Sequence, residues 1–505
     1  MHIMMKKTFL TVRIKYLFLF ILCVISIINA KSQSVEFSTG DKIVAYDEGI
    51  FELHSMDSKY LYAFRNHYEA YYVDVYDRDS LKRDVLIRIP LPSKDSVKYS
   101  LETLFTGNDT FRIFYSYFDK KNLAERLEMI TFNRRGEKIG DTKLIDTSEG
   151  KNEKKAGSFS VINRKKFNEF LSYGFKRVRD TSYINIDHFD YSANKTRSQN
   201  FVLEDAEGYL VNSTIDDDCN LYRLTRSKRG NRHVKWSVNF YSPEADHSQI
   251  IELTRASSNP IFLSNFFKSF IDKQKRINLV TPYTLNSVSR YAKGLYIAQI
   301  NTKNHSLIRE SIVPFKMGEG NLEGDFSLSS CIPVAIIPIS ESGLKIVFES
   351  RLKTTAKFYG ITVDEEYEIG NIITIDMDSS HAITDIHKIR KDQYSGDGNY
   401  KYTGFAILNH NNKSYFIYNE LPENLQRKPN EFEGVGSGKL NKTVVIYTAV
   451  DSNKVKRKIL INKEPDSGTN AIIPGSYISA NDKSEIYLLR KIKKDVFLTK
   501  VFMNE

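Results

Sequence analysis

Apolar and polar positions along this chain alternate in short runs rather than in helical stripes. Tyr71-Tyr-Val-Asp-Val-Tyr76, Phe111-Arg-Ile-Phe-Tyr-Ser-Tyr117, Tyr183-Ile-Asn-Ile-Asp187, Ile372-Ile-Thr-Ile-Asp376 and Val444-Val-Ile-Tyr447 are four to seven residues each. They are rich in aromatic and β-branched side chains, which pack well on a pleated surface. Polar clusters of Asp, Asn, Ser, Lys and Gly separate them, as turns separate strands. Long stretches with the i, i+3, i+4, i+7 spacing of an amphipathic helix are missing. The pattern predicts an all-β fold.

A repeat narrows the architecture. A polar turn followed by an apolar-aromatic strand recurs, as in Asp57-Ser-Lys-Tyr-Leu-Tyr-Ala-Phe64, Asn108-Asp-Thr-Phe-Arg-Ile-Phe-Tyr115 and Asn481-Asp-Lys-Ser-Glu-Ile-Tyr-Leu488. These strands start near residues 61, 113, 169, 221, 277, 345, 414 and 485, in steps of 52, 56, 52, 56, 68, 69 and 71 residues. In the third unit four strands can be read in order, near 159–162, 167–175, 183–191 and 198–203. Four antiparallel strands per repeat of this length make a propeller blade. Eight landmarks predict eight blades, with seven as the alternative count. The last unit supplies three strands, near 476–479, 485–490 and 496–502, while a spare strand stands at 35–38 or 42–46. Pairing the N- and C-terminal strands would complete a blade and close the ring, leaving no open edge. An outer-membrane β-barrel is the structural alternative. Against it, runs such as Val334-Ala-Ile-Ile337 are apolar on both faces, where a barrel strand alternates.

The opening segment adds a compartment. Lys6, Lys7, Arg13 and Lys15 precede the apolar run from Tyr16 to Ile28, and Asn29-Ala30 and a polar stretch follow. A cationic start, a short apolar core and a small-residue exit are the parts of a cleavable secretory signal. The expected mature chain begins between Ala30 and Val35, so residues 1–30 read as signal peptide and 31–505 as one propeller domain. No later segment is apolar for the roughly 20 residues a spanning helix needs, so the mature form is expected to carry no membrane span. The expected location is exported: periplasmic, cell-surface or extracellular.

Removing residues 1–30 takes away four cations and no acids, leaving 69 Lys+Arg against 62 Asp+Glu, a net charge of +7. The remaining charges are interspersed. No element gathers the basic residues that nucleic-acid binding would need, and Lys454-Val-Lys-Arg-Lys458 reads as an exposed strand. Cys219 and Cys331 fall in the fourth and sixth units, so they are not expected to bridge, since a disulfide needs Cα atoms within about 7 Å.

The signal, the Tyr/Asn/Lys-rich units and the stretch Ser414-Tyr-Phe-Ile-Tyr-Asn-Glu-Leu-Pro-Glu-Asn-Leu425 together resemble the uncharacterised exported propeller-like proteins of Bacteroidota-type bacteria. The resemblance implies a propeller at the cell envelope and no particular activity.

Candidate chemistry is thin. Asp216-Asp-Asp218 suggests a calcium loop, but no glycine follows and the triplet sits on a repeat hairpin, where Asp favours a turn without metal. Asp392-Gln-Tyr-Ser-Gly-Asp-Gly-Asn399 lacks EF-hand spacing and reads as a flexible loop. In Gly434-Val-Gly-Ser-Gly-Lys439, Glu433 occupies the first glycine position of a phosphate loop and Leu440 replaces the magnesium-binding Ser/Thr. His381 and His387 have no second ligand at fixed spacing and read as surface or packing residues. No metal and no cofactor are expected.

The growth of the repeat step from 52–56 to 68–71 residues puts the working surface in the C-terminal half. In a four-stranded blade, loops joining second to third strands share a face with the links between blades. Segments 351–369 and 420–441 are of the first kind; 316–330, 391–401 and 463–473 are of the second. They carry Phe358, Tyr359, Asp364, Glu365, Glu366, Tyr367, Tyr394, Tyr400, Phe432 and Glu433, a mixture of aromatic and acidic groups suited to recognition. The expected function is a cell-envelope binding or scaffold propeller engaging a protein or glycan partner through loops on one face. The alternative is a glycan-active or other hydrolase with a site on the propeller axis. Catalytic residues cannot be named from the sequence.

Overall fold

The computed structural model describes residues 34–504 apart from 44–50, 68–69, 91–98, 107–109, 151–156, 165–167, 179–180, 204–208, 230–232, 246–247, 256–261, 264–265, 285–291, 316–330, 340–342, 359–360, 396–398, 429–430, 452–453, 463–467 and 481–483. The signal segment 1–30, the link 316–330 and Tyr359 therefore lie outside the described residues.

Among the described residues, several hairpin turns start on an Asp whose side chain organises them. Asp216 Oδ1 accepts the backbone N–H of Asp218 (3.0 Å) and Asn220 (2.8 Å), and Cys219 takes a positive φ of 65°. Asp190, Asp272 and Asp378 do the same, with Ala193, Lys275 and His381 at positive φ. A short turn followed by one left-handed residue joins adjacent antiparallel strands with the correct twist. These turns generate eight antiparallel sheets in sequence order. They form blade 1 (residues 51–89), blade 2 (99–149), blade 3 (158–203), blade 4 (209–252), blade 5 (262–314), blade 6 (331–395) and blade 7 (406–461). Blade 8 takes three strands from 470–504 and its outermost strand, Ser34–Ile43, from the other end of the chain, paired from Ser34↔Asn504 to Ile43↔Val496.

All eight sequence landmarks fall on second strands of blades, from Tyr60–His67 in blade 1 to Glu485–Ile492 in blade 8. The count is eight, and eight separate sheets replace the single closed sheet of the barrel alternative. Eight apolar clusters occupy the eight interfaces. Tyr62, Ile87, Ile113 and Phe132 join blades 1 and 2, and clusters of the same kind join each later pair. Leu61, Ala63, Tyr487 and Leu489 join blade 8 back to blade 1. The ring is therefore closed by packing as well as by the terminal strand pair. Among the described residues, no helix is long and apolar enough to cross a membrane.

Strand order puts two kinds of connection on opposite faces. First-to-second and third-to-fourth hairpins share one face, where turns of neighbouring blades lock together. Arg78 bonds Glu485 at 2.7 Å and the Tyr487 hydroxyl at 3.3 Å. His305 Nδ1 meets the Tyr222 hydroxyl at 3.0 Å while its ring stacks on Phe240. The other face carries the long connections. There the expected loop 351–369 is instead a β-arm. The strands Leu344–Phe358 and Ile361–Met377 run on past the blade as far as Phe358↔Ile361, with a register shift between Glu349 and Arg351 where the arm leaves the ring. From Arg351 to Phe358 its sequence holds no Gly, Pro, Asn or Asp to turn the chain, so the pairing simply continues. The expected flexible loop 392–399 is ordered at its start, where Gln393–Ser395 pairs with Tyr367–Ile369.

Candidate functional site

On the loop face of blades 6 and 7 the chain buries an unusual amount of polarity. Glu349, near the end of the blade portion of its strand, is fully buried; its Oε1 accepts the Lys391 ammonium at 2.8 Å and its Oε2 accepts Arg351 Nε at 2.6 Å. Lys391 begins the link to blade 7 and is 1 % exposed. Burial pulls its ammonium below the ordinary lysine value, and Glu349 opposes the shift. Lys391 Nζ also donates to Gln393 Oε1 at 3.1 Å. Gln393 accepts the N–H of Gly404 at 2.8 Å and donates to the Asn419 carbonyl at 3.0 Å. Gly404 holds a positive φ of 90°, which its lack of a side chain permits. Asn419 reaches on to blade 8, donating to the Ile472 carbonyl at 2.9 Å and accepting the Ile472 N–H at 2.9 Å. One hydrogen-bonded chain thus ties three blades and the links between them.

A second branch holds the long loop that begins at the end of the strand Lys413–Glu420. Glu420 is 1 % exposed; its Oε1 accepts Leu421 N at 2.8 Å and Asn424 Nδ2 at 2.7 Å. Asn424 then grips the far side of the loop, donating to the Glu433 carbonyl at 2.8 Å and accepting the Glu433 N–H at 3.0 Å. The other Glu420 oxygen is buried with no hydrogen-bond partner among the described residues. Burial raises this carboxyl to about 7, against the opposing pull of Asn424, the Leu421 N–H, Arg457 and Lys391.

The two loops also meet directly. Tyr394 N donates to the Val435 carbonyl at 3.0 Å and Val435 N to the Asp392 carbonyl at 2.9 Å. The Tyr394 ring lies across Gly434 and Gly436: a methyl added at Gly436 would stand 2.3 Å from the ring, and one at Gly434 2.8 Å. The glycines of the failed phosphate-loop match are thus there to let an aromatic ring lie on the backbone. Lys439, which a phosphate loop would aim at its ligand, ion-pairs with Glu433.

The expected site residues separate into three groups. Tyr394, Phe432 and Glu433 come together in this assembly. Phe432 sits between Arg390 (5.2 Å) and Arg457 (4.8 Å), and Glu433 pairs with Arg427 at 3.0 Å as well as with Lys439. Phe358, Asp364, Glu365, Glu366 and Tyr367 occupy strand positions on the β-arm, with Asp364, Glu365, Glu366 and Tyr367 opposite Ala356, Thr355, Thr354 and Lys353. Tyr400 lies in the 3-10 turn Asn399–Tyr402. Sequence reasoning missed Glu349, Lys391, Gln393, Asn419, Glu420 and Asn424. The available signal was polar residues continuing an apolar strand, in Ile346-Val-Phe-Glu349 and Phe416-Ile-Tyr-Asn-Glu420. Elsewhere, Asp216 is a turn residue, His381 is buried against Ser311 at 3.0 Å, and His387 pairs with Asp385 at 2.9 Å.

No family model matches this chain, and no curated protein matches it. Among solved structures, the WD40 domain of SCAP from fission yeast superposes with a TM-score of 0.42 at 9% identity, covering 93% of this chain and 98% of that one. An uncharacterised protein from Listeria monocytogenes gives 0.33 at 9% identity over 77% and 94%. A protein of unknown function from Dyadobacter fermentans gives 0.29 at 7% identity over 81% and 100%. At these values none of them bears on what this protein does.

Proposed function

We propose that the protein is an exported binding or scaffold propeller that engages a protein or glycan partner at the cell envelope with the loop face of blades 6 and 7. One observation carries the reading: two long connections, the link after Lys391 and the loop after Glu420, are braced by a buried polar network that spans three blades. Ordering a loop costs on the order of 1–2 kcal/mol per residue in backbone entropy, and taking Lys391 and Glu349 out of water costs more. Insertions without a role have no need of either. A pre-ordered loop recovers the cost on association, because less freedom remains to be lost. Export rests on the leader-like residues 1–30.

The test replaces residues 424–439 by a short Gly-Ser linker and compares capture of partners from envelope extract. The expected result is loss of capture with a melting temperature lowered by only a few degrees, since no interface cluster except its Leu425 rim is touched. Undiminished capture by the trimmed protein would overturn the reading. N-terminal sequencing of exported material checks the compartment: a start between Ala30 and Val35 is expected, and a mature chain retaining residues 16–28 would contradict it.

A further inference from the structure

We propose that Tyr394 is the stacking platform of a saccharide-binding site, for a neutral, extended pyranose chain. The inference rests on the loop face being the working surface and adds the chemistry of what binds there.

Tyr394 is 47% exposed, although its backbone is bridged to Val435 and its own segment leads directly from the buried Lys391 and Gln393. One side of the ring is covered by the backbone of Gly434 and Gly436. Among the described residues, no other ring stacks on it and its hydroxyl has no hydrogen-bond partner; the cation near it is Lys439, which donates to the Gly434 carbonyl at 3.4 Å. A large aromatic ring is thus fixed in position, backed by main chain and left open to solvent.

The rim decides the class of ligand. Lys439, Arg427 and Glu433 form a compact ion-paired group beside the ring, with Lys439 within electrostatic reach of the phenol. With Asp392, whose carboxyl lies beside Gly434, the two positive charges meet two negative ones, and each group keeps donors or acceptors for a hydroxyl. Among the described side chains of blades 6 to 8, the other exposed large apolar ones, Phe37, Val455 and Ile459, lie on outer strands, away from this loop. A protein hot spot gathers several apolar anchors within an excluding rim. One flat ring surrounded by polar groups fits a sugar instead: the electron-rich ring face attracts the polarised C–H groups of a pyranose face, and the rim meets the hydroxyls at its edge.

The experiment titrates the full mature chain with fluorescently labelled cellohexaose, laminarihexaose, xylohexaose, mannohexaose and chitohexaose. At least one is expected to bind. Tyr394→Ala should weaken that binding roughly tenfold or more, the scale of losing one stacked aromatic face. Tyr394→Trp should keep it, and Gly436→Ala, which drives a methyl into the ring, should weaken it. Melting curves are recorded for every variant, so that a merely structural tyrosine shows as lost stability with unchanged affinity. No binding of any hexasaccharide at millimolar concentration, or equal affinity in a natively folded Tyr394→Ala, overturns the inference. Capture of a protein partner that needs residues 424–439 but is indifferent to Tyr394→Ala would overturn the saccharide and leave the loop-face reading standing.

Discussion

A carboxyl group buried with one oxygen unpartnered holds its proton late, and Glu420 is such a group. Its titration near 7, against an ordinary 4.5, means that the folded chain binds this proton more tightly than the unfolded chain does. The stabilisation is therefore complete below about pH 4.5 and is lost as the pH rises through 7, to a total of about 3 kcal/mol. Glu420→Gln stays neutral throughout. In urea titrations between pH 5 and 8, the wild type should lose stability relative to the variant; parallel pH profiles would show that Glu420 is not buried as described. Lys391 tests the opposite case. Removing it by Lys391→Met strands Glu349 Oε1 and leaves the half-exposed Arg351 as the carboxylate's remaining partner, so the loss should approach but stay under the roughly 3–5 kcal/mol of a fully broken buried pair. The double variant Lys391→Met, Glu349→Gln should recover part of that loss. If it does not, the two residues are not coupled. The thiols are inert for a related reason. Burial pushes Cys219 up to about 11 and Cys331 up to about 12, so alkylation should be slow in the native protein and modify both after denaturation.

At the scale of elements, what could be read from the sequence was what is local. A polar turn that feeds an apolar-aromatic strand is contained in about ten consecutive residues, so all eight second strands were visible. Innermost strands were harder because they are interrupted. Register shifts fall between Leu53 and Ser55, Leu101 and Thr103, Leu210 and Asn212, and Pro333 and Ala335, and a longer one falls between Ile473 and Tyr477. Each bulge moves the apolar positions to the other face and erases the period of two. The polar network failed to show for a different reason: Glu349, Gln393 and the neighbours Asn419-Glu420 stand on three segments distant in sequence, which meet only when blades 6 and 7 pack. The turns carry their own prediction. Asp216 accepts two backbone N–H groups, Asn220 Nδ2 at 2.9 Å and the Tyr222 hydroxyl at 3.3 Å. Asp216→Ala should lower stability by about 1–3 kcal/mol. Adding calcium should leave the melting temperature of the wild type where it is. A calcium-dependent rise would show that the triplet is a metal loop after all.

For the whole molecule, the consequence of the architecture is that no blade owns a core. Each apolar cluster is shared by two neighbours, so removing the partner of any blade exposes half of two clusters. Closure makes this circular, and the strand Ser34–Ile43 is the piece that completes the circle. It contributes Val35 to the cluster between blades 7 and 8 and Ile43 to the one between blades 8 and 1. It also covers the backbone groups of the strand Asp495–Asn504, which would otherwise form an open edge. Two outcomes follow from deleting residues 34–43. Thermal unfolding should shift down sharply while remaining a single transition, because loss of packing at one interface propagates around a ring of shared cores. The uncovered edge should pair with that of a second molecule, so size-exclusion chromatography should show dimers or larger species. Supplying the peptide 34–43 in trans should reverse both effects by donating the missing strand. A deletion variant that melts in two separate steps, or that stays monomeric at the wild-type melting temperature, would mean that the blades are stable one by one and that the terminal strand merely decorates an already complete ring.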